Sequence, residues 1–266
     1  SFSEQDSHLL SMIASQAAVA IYNARLVQAL QKAYAELSRV DKIKSDFMAI
    51  ASHELRTPLG VILGYATFLK DESKGESSEH ASIVLNSALR MRALVEDLTN
   101  LTLLQMGEVK LQMKPLPIQQ PLTAALADIA ATAQVKNQVL THSFPTEPLL
   151  VLGDAARLER VFANLLNNAV RFTPEGGHIK VQAAAAHHMV QVAIQDSGVG
   201  IPPLELENVF KEFYQVEDHM RRRHGGMGLG LAIARGLVHL HDGHIWAESA
   251  GENQGTTLHV VLPQAV

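Results

Sequence analysis

Apolar residues recur through residues 6–71 at alternating three- and four-residue steps, as Ile13, Ala17, Ala20, Ala24, Val27, Leu30, Tyr34 and Leu37. A stripe this narrow is a coiled-coil seam, not the broad face of a helix on a globular core, and it implies a partner helix. The seam falters at Asp41 and Lys44, then resumes with Phe47, Met48, Ala51, Leu55, Leu59, Ile62, Ala66 and Leu69. A helix of that length would run on the order of 100 Å, more than one chain can cover. Residues 71–80 are polar and contain Gly75, which predicts a turn. A second helix follows, with Val84, Ala88, Met91, Val95 and Leu98 on one stripe and Leu94, Leu101 and Leu104 widening it, ending near Gly107. Two helices joined by a short loop make an α-helical hairpin, and two hairpins make a dimeric four-helix bundle.

Pro115 and Pro117 mark a boundary, because two prolines in three residues continue neither a helix nor a central strand. Beyond them the pattern alternates. Residues 121–136 read as helix, and 139–144 and 149–152 as short strands. Asp154 reads as the N-cap of a helix carrying Leu158, Val161, Phe162, Leu165, Leu166 and Ala169. Strands are expected over residues 178–186 and 189–195, the latter alternating through Val190, Val192 and Ile194. A loop-rich stretch to Gly230 precedes a helix to about His241, then a hairpin of residues 245–249 and 256–262. This order predicts an α/β two-layer sandwich on a mixed sheet. The chain thus divides into residues 1–41, 42–114 and 115–266.

Composition narrows the function. With 47% hydrophobic residues a sizeable core is available, and a net charge of −5 offers no general attraction to nucleic acid or an anionic membrane. The one dense basic run, Arg221 to Arg223, reads as a solvated loop. The absence of cysteine excludes disulfides and thiolate sites and fits a reducing compartment. No run of 18 apolar residues and no opening signal peptide occur, so a cytoplasmic chain without membrane contact is expected, the soluble part of something longer.

Four stretches carry chemistry. In Ser52 to Leu59, His53 and Thr57 are one helical turn apart, and Pro58 deprives the Glu54 carbonyl of its donor and bends the helix beneath them. The bend would let Glu54 hold one imidazole nitrogen and leave the other as a nucleophile. Asn164 and Asn168 share a helix face polar enough for Mg2+ and phosphate oxygens. Asp196, at a strand end before Gly198 and Gly200, can accept from an amino group while bare backbone admits a flat ring. Gly225 to Leu231 opens a helix, where N–H groups and the dipole favour phosphate.

In this order, the stretches resemble the sensor histidine kinases of two-component signalling, from about Lys42 to Pro263. The His53 stretch is similar to that family's dimerisation and histidine-phosphotransfer motif and Asn164 to Phe172 to its Asn motif. Asp196 to Gly200 and Gly226 to Gly230 resemble its glycine motifs, Phe210 and Phe213 its paired phenylalanines, and Gly255 to Thr257 its last small motif. Residues 1–26, with Phe2, Asp6 and Asn23 to Leu26, resemble the closing helix of a GAF domain. The resemblance makes residues 1–41 a signalling helix, 42–114 the phosphotransfer domain and 115–266 the catalytic ATP-binding domain. It implies autophosphorylation of His53, transfer to an Asp of a response-regulator receiver domain, a homodimer, an upstream sensory domain, and ATP and Mg2+ as cofactors. Asp196 would recognise adenine, and Asn168, helped by Asn164, would hold the metal. Arg171, usually Lys in the family, would reach phosphate, and Phe172, often Tyr, would stack near the nucleotide. Gly198, Gly200, Gly226, Gly228, Leu229, Gly230 and Thr256 would line the site beneath a lid of residues 211–225, and Met227 stands where Thr is common. Thr57 would help water attack the phosphorylated regulator. Two rivals are an ATPase of the gyrase, chaperone or mismatch-repair type, which lacks the His53 hairpin, and a dimeric scaffold that binds ATP weakly. A metal site at His239, His241 and His244 is disfavoured, since no acidic shell accompanies them beyond Asp242.

Overall fold

The computed structural model describes residues 12, 16, 20–34, 36, 37, 55, 59–71, 76–216 and 228–265, in two compact units, Ser1–Ala51 and Ser52–Val266. In the first unit, residues 20–34 form helix α1. Its seam residues Val27, Leu30 and Tyr34 are exposed in the single chain. Of the long helix read from the sequence, residues 6–11, 13–15, 17–19, 35, 38–54 and 56–58 lie outside the described residues.

The second unit opens with α2, residues 59–71, and α3, Glu76–Gln105. Their buried residues fall at heptad spacing, Leu59 and Ala66 on α2 and Ala81, Ala88 and Val95 on α3. Ile62, Tyr65, Phe68 and Leu69 on α2 and Ile83, Val84 and Met91 on α3 stay exposed. One apolar stripe is therefore buried within the chain and another left uncovered. The expected turn of residues 71–80 is too long, since α3 begins at Glu76. Residues 76–80 contain neither glycine nor proline, and polarity alone does not break a helix.

The C-terminal half of α3 packs on the α/β layer that follows. Leu101 joins its core, and Asp97 pairs with Arg160 at 2.8 Å. Pro115 and Pro117, read as a boundary, lie in a strand, β1 (Lys114–Pro117), antiparallel to β3 (Leu150–Gly153) in a two-stranded sheet. An edge position is where proline is tolerated, because no ladder needs the missing N–H.

The main sheet has the order β2 (Val139–Ser143), β4 (His178–Ala186), β5 (Met189–Asp196), β7 (Thr256–Pro263), β6 (His244–Glu248). β2 runs parallel to β4 and every other pair is antiparallel. Ile179, Val181, Val190, Val192, Ile194, Leu258 and Val260 are buried, whereas Lys180, Gln182 and Gln195 alternate with them on the exposed face. Helices α4 (Gln119–Val135), α5 (Ala155–Phe172) and α6 (Gly230–Leu240) bury Leu122, Ile129, Leu158, Phe162, Leu165, Ile233 and Leu237 in the same core. The mixed-sheet, two-layer sandwich read from the sequence is the fold observed. Among the described residues, no helix is long and apolar enough to cross a membrane.

Asp154 starts α5 and fixes three segments at once. Its carboxylate accepts from Arg157 N at 3.2 Å as N-cap and from Gln112 N, in the segment after α3, at 3.0 Å. Its own N–H donates to His241 Nε2 at 3.0 Å, so that nitrogen carries the lone pair and Nδ1 carries the proton, donated to Leu237 O at 2.8 Å. Burial opposes the charged form of Asp154, but the N–H donors of Gln112 and Arg157 outweigh it and hold the carboxyl below its ordinary range. A depressed carboxyl stabilises the fold above its unfolded pKa and loses that contribution as pH falls through the folded value. Asp154→Ala should therefore lower unfolding free energy at pH 7 by about 1–2 kcal/mol in urea titrations. The gap from wild type should shrink below about pH 4; a gap independent of pH would contradict the assignment.

Candidate functional site

The apolar face of α5 is locked in the core, which fixes where its polar face points. Asn164 and Asn168, one turn apart, are both half-buried. Asn164 Nδ2 donates to the carbonyl of Gly230, the first residue of α6, at 3.0 Å, so this side chain ties the two helices together. At the end of α5, Arg171 is half-buried and Phe172 is 39% exposed, with the guanidinium carbon 5.1 Å from the ring centroid. Burial draws the Arg171 pKa below its ordinary value, and the group stays charged.

Asp196 ends β5 and is buried beside the same end of α5. Burial pushes its pKa up to about 6, against the opposing N–H bonds from Gly198 and Thr256. Gly198 N donates to Asp196 Oδ1 at 2.8 Å. A Cβ at Gly198 would lie 2.6 Å from the Phe172 carbonyl oxygen, so only glycine lets the loop press against the helix. Val199 N then donates to that carbonyl at 3.3 Å. Gly200 adopts a φ of +68°, and the loop is clamped to the β6–β7 connection by Gly255 N to Gly198 O at 3.0 Å and Asn253 N to Val199 O at 2.7 Å. Asp196 and Thr256 pair directly across β5 and β7.

The N-terminus of α6 completes the cluster. Gly228 has a φ of +70°, Leu229 is buried and Gly230 begins the helix beside Asn164. Phe210 is buried, with the Arg235 guanidinium carbon 5.8 Å from its ring centroid, whereas Phe213 is half-exposed at a φ of +59°. The structure thus strings Asn164, Asn168, Arg171 and Phe172 along α5, with Gly230 and its neighbours Gly228 and Leu229 at Asn164, and Asp196, Gly198, Gly200 and Thr256 at the Phe172 end. His53, Glu54 and Thr57 lie outside the described residues, as do Gly226, Met227 and Arg221 to Arg223.

Two side chains that sequence reasoning passed over also reach α5. Lys136 Nζ donates to Val170 O at 2.8 Å and Arg171 O at 3.2 Å, and Gln138 Nε2 to Val170 O at 3.0 Å and Thr173 O at 2.7 Å. Nothing in a helix-to-strand connection marks such distant partners. The three-histidine metal reading fails on geometry: both ring nitrogens of His241 are used within the fold, and no group of three potential ligands exists among the described residues.

Residues 153–266 match the model for the histidine kinase-, DNA gyrase B- and HSP90-like ATPase family. Residues 43–107 match the His Kinase A phospho-acceptor domain. The chain is 31% identical to the sensor histidine kinase WalK of Bacillus subtilis, over 86% of this chain and 38% of WalK. It is 34% identical to the signal transduction histidine-protein kinase BarA of Escherichia coli, over 81% of this chain and 24% of BarA. It therefore spans less than half the length of either relative. Among solved structures, full-length ShkA in complex with AMPPNP superposes with a TM-score of 0.71 at 26% identity, covering 83% of this chain and 46% of ShkA. With a phospho-acceptor segment followed by an ATPase-type sandwich, and with the sandwich's motifs on α5, at the end of β5 and at the start of α6, the chain belongs to the sensor histidine kinases of two-component signalling.

Proposed function

We propose that the chain binds ATP and autophosphorylates His53 within a homodimer, then passes the phosphoryl group to an Asp of a response-regulator receiver domain. The observation that carries the reading is Asp196, a buried carboxylate behind a glycine loop at the end of the helix that bears Asn168. The adenine amino group donates to Asp196, and Phe172 stacks beside it. Arg171 reaches the phosphates, as do the N–H groups that begin α6. Asn164 and Asn168 offer neutral amide oxygens, which suits Mg2+ carried in on phosphate oxygens and held by Asn168. When bound, the ion neutralises charge developing on the transferred phosphoryl group. Glu54 orients the His53 ring, whose free nitrogen attacks the γ-phosphorus. The nitrogen–phosphorus bond forms, the bond from that phosphorus to the bridging oxygen breaks, ADP leaves, and the imidazole gives up its proton to solvent.

In the same reading, residues 1–41 carry signals from an upstream sensory domain, 42–114 form the phosphotransfer domain and 115–266 the catalytic domain. The uncovered stripe of Ile62, Tyr65, Phe68 and Leu69 supports a dimer, since a second hairpin would bury it. Thr57 places the water that hydrolyses the phosphorylated regulator, giving the chain a phosphatase activity as well. A reducing compartment such as the cytoplasm suits a chain without cysteine.

Incubation with γ-labelled ATP and Mg2+ should give an acid-labile, alkali-stable label that disappears in His53→Gln and in Asn168→Ala; label surviving in His53→Gln would remove that residue from the reaction. Thr57→Ala should keep autophosphorylation and lose dephosphorylation of the regulator, and equal loss of both would sink the separation of roles. Asp196 accepts from adenine more strongly when ionised, and its pKa of about 6 places the transition within reach. Nucleotide affinity, followed with a fluorescent ATP analogue, should fall as pH drops from 7.5 to 5.5, and Asp196→Asn should bind weakly with that component removed. A wild-type affinity that is flat across this range would contradict the role.

A further inference from the structure

Helix α5 is followed at once by Thr173 and Pro174. Continuing the helical ladder, the N–H of residue 174 would serve the carbonyl of Val170, and proline has none. The missing donors come from the connection between α4 and β2, far away in sequence. Lys136 Nζ and Gln138 Nε2 both bond to Val170 O, Lys136 also bonds to Arg171 O and Gln138 also bonds to Thr173 O. Phe172 O takes Val199 N, and Ala169 O takes Thr173 N. Every carbonyl from Ala169 to Thr173 is thereby engaged, and three of them, those of Val170, Arg171 and Thr173, depend on side chains outside the family motifs.

The two turns are also zipped together by their backbones. Gly176 N donates to Lys136 O at 3.0 Å and Val139 N to Gly177 O at 2.8 Å, while Asn137 Nδ2 reaches Glu175 Oε1 at 2.8 Å. The Lys136 ammonium, moreover, sits at the negative end of the α5 dipole. These contacts act on the last turn of the helix, which holds Arg171 and Phe172 and lies directly after Asn168.

We propose that Lys136 and Gln138 are positioning residues for the nucleotide: they fix the final turn of α5 and so set the placement of Asn168, Arg171 and Phe172. The assignment rests on the nucleotide reading above. Neither residue touches substrate; both act through backbone carbonyls.

The test is the dependence of autophosphorylation rate on ATP concentration for the full chain and for Lys136→Met, Lys136→Arg and Gln138→Met. Gln138 is buried, so the half-buried Lys136 supplies the variant whose loss leaves the core intact. Lys136→Met and Gln138→Met should raise KM for ATP about tenfold while the maximal rate, per molecule folded by circular dichroism, stays within about twofold. Lys136→Arg, which keeps the charge and the donors, should restore the wild-type KM. A purely structural role would instead lower the folded fraction and the maximal rate at constant KM, and that result would overturn the proposal. A wild-type chain that binds no nucleotide would overturn the nucleotide reading itself, and this assignment with it.

Discussion

Burial of one face of α5 is the constraint on which the site depends. Leu158, Val161, Phe162, Leu165, Leu166, Ala169 and Val170 are all buried, so the helix cannot rotate without exposing them. Each large side chain contributes about 1.5–3 kcal/mol by its removal from water. By comparison, a partly exposed pair such as Asp97 and Arg160 contributes about 0–1 kcal/mol. Burial raises the Asp97 pKa above its ordinary value in spite of the bonded guanidinium, which shows desolvation outweighing the attraction. Packing, not charge, therefore decides which way the polar face of α5 points, and the polar contacts at its C-terminal end fix the last turn.

Asp196 is the counterpart of that constraint. Burial makes a charged carboxylate unfavourable in this place, in keeping with its raised pKa. The two N–H groups that reach it leave it short of full compensation. A ligand that donates a hydrogen bond there would offset a cost already present in the protein, in keeping with the recognition role proposed for Asp196. The glycines around it allow the loop to lie against the Phe172 carbonyl, so the carboxylate and the end of α5 form one unit.

Much of this was legible in the sequence, for local reasons. The 3.6-residue period of α5, its Asp154 cap and the alternation of β5 are properties of neighbouring residues, and each appears in the structure close to its expected bounds. What stayed hidden is what depends on distant partners. Proline in β1 concealed a strand because its tolerance rests on an edge position that only topology reveals. The bond from the Asn164 amide nitrogen to Gly230, across more than sixty residues, was likewise hidden. Lys136 read as the end of a helix and Gln138 as part of the connection to the next strand, and their bonds to α5 cross more than thirty residues. The motifs around His53 were legible as a pattern, although those residues lie outside the part of the chain described here.

In the proposed reading the Asp196 carboxylate selects adenine through its amino group. Calorimetric titration of the chain with Mg-ATP and Mg-GTP tests it directly, because guanine carries a carbonyl at the corresponding ring position and would set one acceptor against another. Saturable binding of ATP, with GTP weaker by at least about a hundredfold, is the expected result. Equal affinities for the two nucleotides, or binding of neither, would contradict it.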